Sequence, residues 1–147
     1  MSYKIQAESS FTVVGIATRT SNQRVDEIGQ LWQRFYASNV AAQVVSRLDT
    51  RVYSVYSDYD SDASGEYNLL IGCAVPADLL VVQVPEGMTQ KTVSASKYAL
   101  FEASGELPAG IVAAWREVWS SDLNRSYDTD FERYEEDGTA TVHVGIR

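Results

Sequence analysis

The chain has 147 residues, of which 45% are hydrophobic and 22% are charged, so it is long enough to bury a core as one domain. Twelve Lys and Arg residues against 20 Asp and Glu residues give a net charge of −8, which argues against direct binding of nucleic acid or an anionic membrane. One cysteine and one histidine exclude an internal disulfide and leave a structural zinc site without enough ligands. The first residues form no apolar signal core, and the expected location is the cytoplasm.

Hydrophobic periodicity predicts alternating strands and helices along the chain. The predicted elements are a strand over Phe11–Thr20, helices over Val25–Ala37 and Val40–Leu48, strands over Arg51–Tyr59 and Tyr67–Val75, a strand within Met88–Ala103, a helix that starts near Pro108 and carries Ile111 to Trp119, and strands over Asp130–Tyr134 and Thr139–Ile146.

The two halves of the chain, about 1–84 and 88–147, resemble each other. Ile28–Tyr36 aligns without a gap to Ile111–Trp119, and in each half a strand precedes this helix while two strands follow it. One such unit cannot cover its own apolar face. We therefore predict an α+β fold with a duplicated β-α-β-β unit, in which a pseudo-two-fold axis relates two main helices on one side of a curved antiparallel sheet. A ligand cleft is expected between the halves.

Glu132 is a charged position that breaks the repeat, because the first half has Ser54 there while the neighbouring positions are aromatic in both halves. Glu132 and Tyr134 are two residues apart on a strand and share a face. A carboxylate beside aromatic rings, behind a helix with two tryptophans, is suited to hold a bulky organic cation. In an apolar cleft its pKa should rise when no cation is bound. Sequence drift, or an edge strand that faces water, is the alternative explanation.

Aromatic residues near this carboxylate are the other candidates for ligand contact. The predicted ligand-binding set is Glu132, Trp115, Tyr134, Tyr98, Tyr53, Tyr56, Trp119 and Phe35. Trp115 is balanced between cleft wall and helix core, Trp119 is assigned to the cleft end or the core, and Trp32 is favoured as core. No catalytic residue, metal site or cofactor is predicted, because the chain has neither a nucleophile elbow nor a phosphate-binding loop.

Two single residues are interpreted as structural. Cys73 lies in an apolar strand-like run and is predicted to be a buried packing residue. His143 alternates with the valines of the last strand and is predicted to face solvent.

The chain resembles the GyrI-like, or AraC-type, effector-binding domain family over nearly its whole length. The matching segments are Tyr98–Phe101, Gly105, Leu107, Trp115 and Asp130–Tyr134 in the second half, and Val14–Ile16, Ile28, Trp32, Val52–Tyr56 and Ile71–Val75 in the first. The most specific part is the pattern Asp130-x-Glu132-x-Tyr134 and its spacing from Trp115. The resemblance implies a duplicated sheet of the SHS2 type with an effector-binding cleft, in which Glu132 is the counter-charge for lipophilic cations.

Many members of that family carry a helix-turn-helix domain as well. This chain is expected to be a single effector-binding domain without a DNA-binding domain, similar to the free cationic-drug-binding modules of mobile gene cassettes. The expected function is non-catalytic binding of amphipathic, aromatic, cationic small molecules. Two alternatives stay open: a hydrolase that acts on strained electrophiles, as some members do, with Glu132 as base, and an interaction module for a separate regulator protein. Monomer and homodimer are both compatible with the sequence.

Overall fold

The computed structural model describes residues 3–62 and 64–147. Its elements, in chain order, are β1 (Lys4–Glu8), β2 (Phe11–Ser21), α1 (Val25–Ala37), α2 (Val40–Gln43), β3 (Val52–Ser57), β4 (Glu66–Pro76), β5 (Thr89–Val93), β6 (Ser96–Glu102), α3 (Ala109–Ser120), β7 (Arg125–Tyr134) and β8 (Ala140–Ile146).

The predicted elements are present, and three of them differ from the prediction in number or by more than about two residues at one end. The helix predicted over Val40–Leu48 stops at Gln43. The segment Met88–Ala103 holds two strands, β5 and β6, rather than one. The strand predicted from Asp130 begins at Arg125, and an irregular register between these two residues interrupts the alternation that would have revealed its first part.

The eight strands of the described residues form one antiparallel sheet in the order β1-β6-β8-β7-β3-β4-β2-β5. The pair β7–β3 lies at the centre, and each half of the chain supplies strands on both sides of it. The leading strand of each half joins the strands of the other half: β1 of the first half pairs with β6 of the second, and β5 of the second half pairs with β2 of the first. The predicted α+β fold with a duplicated, curved antiparallel sheet and two main helices is confirmed.

The sheet curves so strongly that its two ends approach each other. Strand β5 is at one edge and β6 is next to the other, yet only Ser94 and Ala95 connect them. The side chains inside the curve form a core of their own, in which Phe11 of β2 lies 5.3 Å from Phe131 of β7 between ring centroids. The helices therefore pack on the outer face of the sheet, α1 and α3 each over its own apolar cluster.

The interior of the curve explains one outcome that the sequence did not predict. His143 was expected to face solvent, and this is wrong: its side chain is 0% exposed and stacks on Phe131 with ring centroids 4.3 Å apart. Its alternation with the valines is as predicted, but the face opposite the valines is enclosed by the curvature. Burial lowers the pKa of His143 to about 3, so the ring is neutral. Cys73 is fully buried, as predicted.

Within the two described ranges, no helix has the length and apolar character needed to cross a membrane.

Candidate functional site

An apolar cavity of about 750 Å³ lies on the outer face of the sheet, between α1 and α3. Helix α1 contributes five residues, and α3 together with the preceding Pro108 contributes five at the same positions of the repeat. The lining residues are Val25, Ile28, Gly29, Trp32 and Tyr36 from α1, and Pro108, Ile111, Val112, Trp115 and Trp119 from the segment of α3. An amphipathic helix that packs on a sheet leaves one flank beside its neighbour, and here the two equivalent flanks face each other.

Glu132 lies at the floor of the cavity, on the pseudo-two-fold axis. It pairs across β7 and β3 with Ser54, and the same two residues correspond to each other in the repeat. A residue that faces its own repeat equivalent across two antiparallel strands must lie at the axis between them. Glu132 is 3% exposed and Ser54 is 0% exposed, so the one carboxylate of the floor is central and buried.

Three hydrogen-bond donors hold the carboxylate of Glu132. The Tyr134 hydroxyl donates to Oε1 at 2.5 Å, the Tyr56 hydroxyl donates to Oε2 at 2.8 Å, and the Trp115 indole N–H donates to Oε2 at 2.6 Å. Burial raises the pKa of Glu132, and the three donors, together with the nearby Ser54 hydroxyl, oppose that rise because they stabilise the ionised form. Among the residues that the structure describes, no Lys, Arg or His forms an ion pair with it.

The aromatic walls repeat across the axis. The rings of Tyr56 and Trp115 form a T-shaped pair with centroids 5.3 Å apart, and the equivalent rings of Tyr134 and Trp32 form the same kind of pair at 5.1 Å. One turn further along each helix a second ring follows, so that the walls are flat, apolar and extended. Edge-to-face contacts of this kind hold the rings in defined orientations.

A second polar cluster lies at the α3 side of the cavity. Arg125, which lines the cavity, donates from Nη2 to Asp130 Oδ2 at 2.8 Å, and the Tyr59 hydroxyl donates to the same oxygen. The backbone N–H of Gly145 donates to Asp130 Oδ1 at 2.8 Å. The guanidinium carbon of Arg125 lies 5.9 Å from the ring centroid of Trp115. Asp130 is fully buried, so this pair places a neutralised positive group beside one wall.

Five of the eight residues that the sequence predicted for ligand contact line this cavity. They are Glu132, Trp115, Tyr134, Tyr56 and Trp119.

The other three predicted site residues do not line the cavity, and this is a correction. Tyr53 and Tyr98 belong to the core inside the curved sheet. Tyr53 is three residues from Tyr56 on one strand, so the two side chains point to opposite faces. Phe35 belongs to α1 and is 2% exposed, because its side chain packs into the apolar cluster between the helix and the sheet. The next residue along the helix, Tyr36, is the one that lines the cavity.

Among the cavity residues that were not predicted are Trp32, Tyr59, Tyr67 and Arg125. Trp32 was favoured as core but lines the cavity, and its equivalence to Trp115 in the repeat was the signal that could have placed it there. Tyr59 and Tyr67 stand on either side of a hairpin turn with no pattern that marks them. Arg125 lies in the part of β7 that the broken alternation concealed.

A curved, duplicated antiparallel sheet with two equivalent helices, and an apolar cavity between them over a buried carboxylate, characterise this chain as an effector-binding domain. The family model described as integron-associated effector binding protein matches residues 4–147, and the chain belongs to that family. The resemblance inferred from the sequence is therefore confirmed.

Three known proteins show how far the similarity extends. The transcriptional regulator BrlR of Pseudomonas aeruginosa is 30% identical over 141 residues, which are 92% of this chain and 49% of BrlR, so the chain spans about half the length of this curated relative. The integron cassette protein from the mobile metagenome of Vibrio cholerae has a crystal structure that is 30% identical, with a TM-score of 0.79, and the match covers 99% of this chain and 95% of that one. The structure of SAV2435 bound to tetraphenylphosphonium is 22% identical with a TM-score of 0.77, covers 100% of this chain and 94% of that chain, and shows a common fold.

Proposed function

We propose that this chain binds amphipathic aromatic cations in the cavity between α1 and α3, with Glu132 as the counter-charge. The observation that carries the proposal is a carboxylate that is 3% exposed, at the floor of an aromatic cavity, held by three neutral donors and without a cationic partner among the described residues. A buried charge without a partner is costly, and an organic cation would supply the missing one.

The volume and the lining of the cavity favour a drug-sized aromatic ligand. The cavity volume of about 750 Å³ falls in the range of sites for drug-sized molecules, and the walls are apolar apart from a few convergent polar groups. The aromatic rings on both walls can attract a cation electrostatically through their faces, and a neutral ligand does not gain this cation–π attraction. The neighbour SAV2435, which has the same fold, was solved with tetraphenylphosphonium, a lipophilic cation, and this supports the same ligand class here.

The proposal is tested by removing the charge of Glu132 while its shape is kept. We expect Glu132→Gln to weaken methyltriphenylphosphonium by at least about tenfold, or about 1.4 kcal/mol, because the amide cannot pair with the cation. Triphenylphosphine oxide has a similar shape and no charge, so its affinity should change by less than about twofold. Both affinities are measured by isothermal titration calorimetry.

Glu136→Gln is the matched control, since it makes the same charge change at an exposed position outside the cavity. It should leave both affinities unaltered. Equal weakening of the phosphonium and the oxide by Glu132→Gln would show that the carboxylate shapes the cavity without selecting for charge.

A further inference from the structure

The two oxygens of Glu132 are not equally occupied. Among the described residues, Oε2 accepts from Tyr56 and from the indole N–H of Trp115, whereas Oε1 accepts from Tyr134 only. The buried Ser54 hydroxyl near the carboxylate lies outside hydrogen-bond geometry of either oxygen. A carboxylate offers about four acceptor positions, two on each oxygen. The saturated oxygen therefore lies on the Trp115 side, and the oxygen with an open position lies on the side of Tyr134.

Tyr134 brings the open oxygen next to α1. The ring of Trp32 meets the ring of Tyr134 with centroids 5.1 Å apart, and Tyr134 is the residue that bonds to Oε1. Trp32 occupies the repeat position of Trp115, yet within the described chain its indole makes no hydrogen bond to Glu132. The two tryptophans are equivalent in position and different in what they do.

A resident cation already occupies the α3 side. The guanidinium carbon of Arg125 lies 5.9 Å from the ring centroid of Trp115 and 4.4 Å from that of Tyr127, and the Arg125 side chain is 7% exposed. Arg125 therefore already occupies the faces of Trp115 and Tyr127, so a ligand cation would have to compete with it for these rings. By contrast, none of the five α1 residues at the cavity, Val25, Ile28, Gly29, Trp32 and Tyr36, is basic.

We propose that the positive centre of a bound ligand lies against Oε1 of Glu132 and the ring of Trp32, on the α1 side of the pseudo-two-fold axis, while uncharged aromatic groups occupy the Trp115 side. This rests on the proposed function and deepens it. Trp32 is then the residue that gives charge selectivity to the aromatic walls. Trp115 fixes the carboxylate and contributes apolar contact to charged and neutral ligands alike.

The repeat supplies a matched pair of variants, Trp32→Leu and Trp115→Leu. Each is titrated with methyltriphenylphosphonium and with triphenylphosphine oxide at about pH 8, well above the ordinary pKa of a carboxyl group. The measured quantity is the charge selectivity, meaning the ratio of the two dissociation constants. We expect Trp32→Leu to reduce it by about five- to thirtyfold, the range of a desolvated cation–π contact, and Trp115→Leu to reduce it by less than about twofold.

Trp32→Phe should recover most of the selectivity because it restores an aromatic face. Should Trp32→Leu fail to fold, Trp32→Met keeps an apolar side chain without a ring and is expected to show the same loss. A selectivity that falls with Trp115→Leu and survives Trp32→Leu would overturn the inference, and so would equal losses in both variants.

The same titrations separate this inference from the proposed function. A wild-type protein that does not prefer the phosphonium over the oxide contradicts the proposed function, and the location of the cation falls with it. A wild-type preference that is lost in Glu132→Gln but is unaffected by Trp32→Leu leaves the function standing and refutes the assignment to Trp32.

Discussion

Glu132 carries opposing influences on a single carboxyl group. Burial favours the neutral acid, and donors from Tyr56, Tyr134 and Trp115 favour the anion, with burial the larger influence so that the pKa is raised. A ligand cation binds the ionised form, so affinity should increase as pH rises through this pKa, and binding should release protons at lower pH.

Removal of the Trp115 donor should move this titration in a definite direction. Trp115→Phe keeps a ring but loses the N–H that bonds to Oε2 at 2.6 Å, so the pKa of Glu132 should rise further and the pH midpoint of phosphonium affinity should shift upward. Calorimetric titrations between about pH 4 and pH 8 measure that midpoint. Trp32→Phe is the control, because Trp32 makes no hydrogen bond to the carboxylate within the described chain. A midpoint that moves in the control and not in Trp115→Phe would contradict the role of the indole N–H.

His143 should make the folded state sensitive to acid. Its pKa is about 3 in the folded protein against an ordinary value of 6.5, so the unfolded chain takes up the proton first as pH falls. The stability that depends on a neutral ring is complete above pH 6.5 and is lost toward pH 3, at a rate of about 1.4 kcal/mol per pH unit. Urea denaturation at several pH values gives the free energy of unfolding. His143→Phe keeps a ring against Phe131 but cannot take up a proton. The free energy of unfolding of this variant should therefore fall less steeply with decreasing pH, by the amount given above. Parallel pH curves for the variant and the wild-type protein would contradict the prediction.

At single positions, local sequence patterns located the carboxylate but only part of its surroundings. The two-residue spacing put Glu132 and Tyr134 on one face, and the structure shows them bonded to each other. The same rule separates Tyr53 from Tyr56, although both were predicted at the site. Trp32 shows the opposite error, since helical spacing alone does not distinguish the flank of a helix that faces a cavity from the flank that faces the sheet.

The strands and helices show how closely the backbone is packed. Gly15 of β2 and Gly72 of β4 pair directly across the sheet, and a Cβ atom on Gly72 would lie 2.1 Å from the carbonyl oxygen of Val14. No side chain fits there without moving the backbone. Gly29, on the cavity side of α1, has open space around its Cα instead.

Alanine at these glycines should therefore have opposite effects on stability. We expect Gly72→Ala to lower the free energy of unfolding by about 1–3 kcal/mol or more, as overpacking does. Gly29→Ala should raise it by about 0.5–1 kcal/mol, because glycine in a helix interior costs that much relative to alanine. Urea denaturation measures both, and a stable Gly72→Ala would mean that β2 and β4 can separate at little cost.

The bounds of the elements were predictable where alternation is regular and not where the backbone departs from it. The start of β7 was missed because Tyr127 has a positive φ of 54° and the register with β8 shifts between Arg125 and Asp130. The division of β5 from β6 was missed because apolar and polar residues follow each other across Ser94 and Ala95 without a Gly or Pro to mark the bend.

At the scale of the whole molecule, the halves are interlocked. Each gives its leading strand to the other, and β3 pairs with β7 between them. The curvature that results could not be predicted from periodicity, which reports the face of a strand and not whether that face is enclosed. This is why His143 and Tyr98 were assigned to exposed or ligand-facing positions and lie in a core.

The interlocking predicts that the two halves unfold in one transition. A half without its exchanged strand would expose a sheet edge and part of the inner core, so a partly unfolded state should be unstable. The fluorescence of Trp32 reports the first half, and that of Trp115 and Trp119 reports the second. Urea curves of Trp32→Phe and of a Trp115→Phe, Trp119→Phe double variant should each coincide with the far-UV circular dichroism curve of the same protein. Separate midpoints within one variant would show that the halves unfold independently.

The exchange of β1 and β5 also bears on how such a chain could arise. A polypeptide that contained one repeat alone would carry a strand whose hydrogen-bonding partner lies on another molecule. Two identical copies would satisfy each other by trading these arms, and their shared axis would run through the position now held by Ser54 and Glu132. In that symmetric ancestor any acidic residue there would occur twice, face to face, and repel itself. Fusion into a single gene removes this constraint, since one copy can become serine while the other keeps its charge, and the fold can then hold a lone anion at its centre.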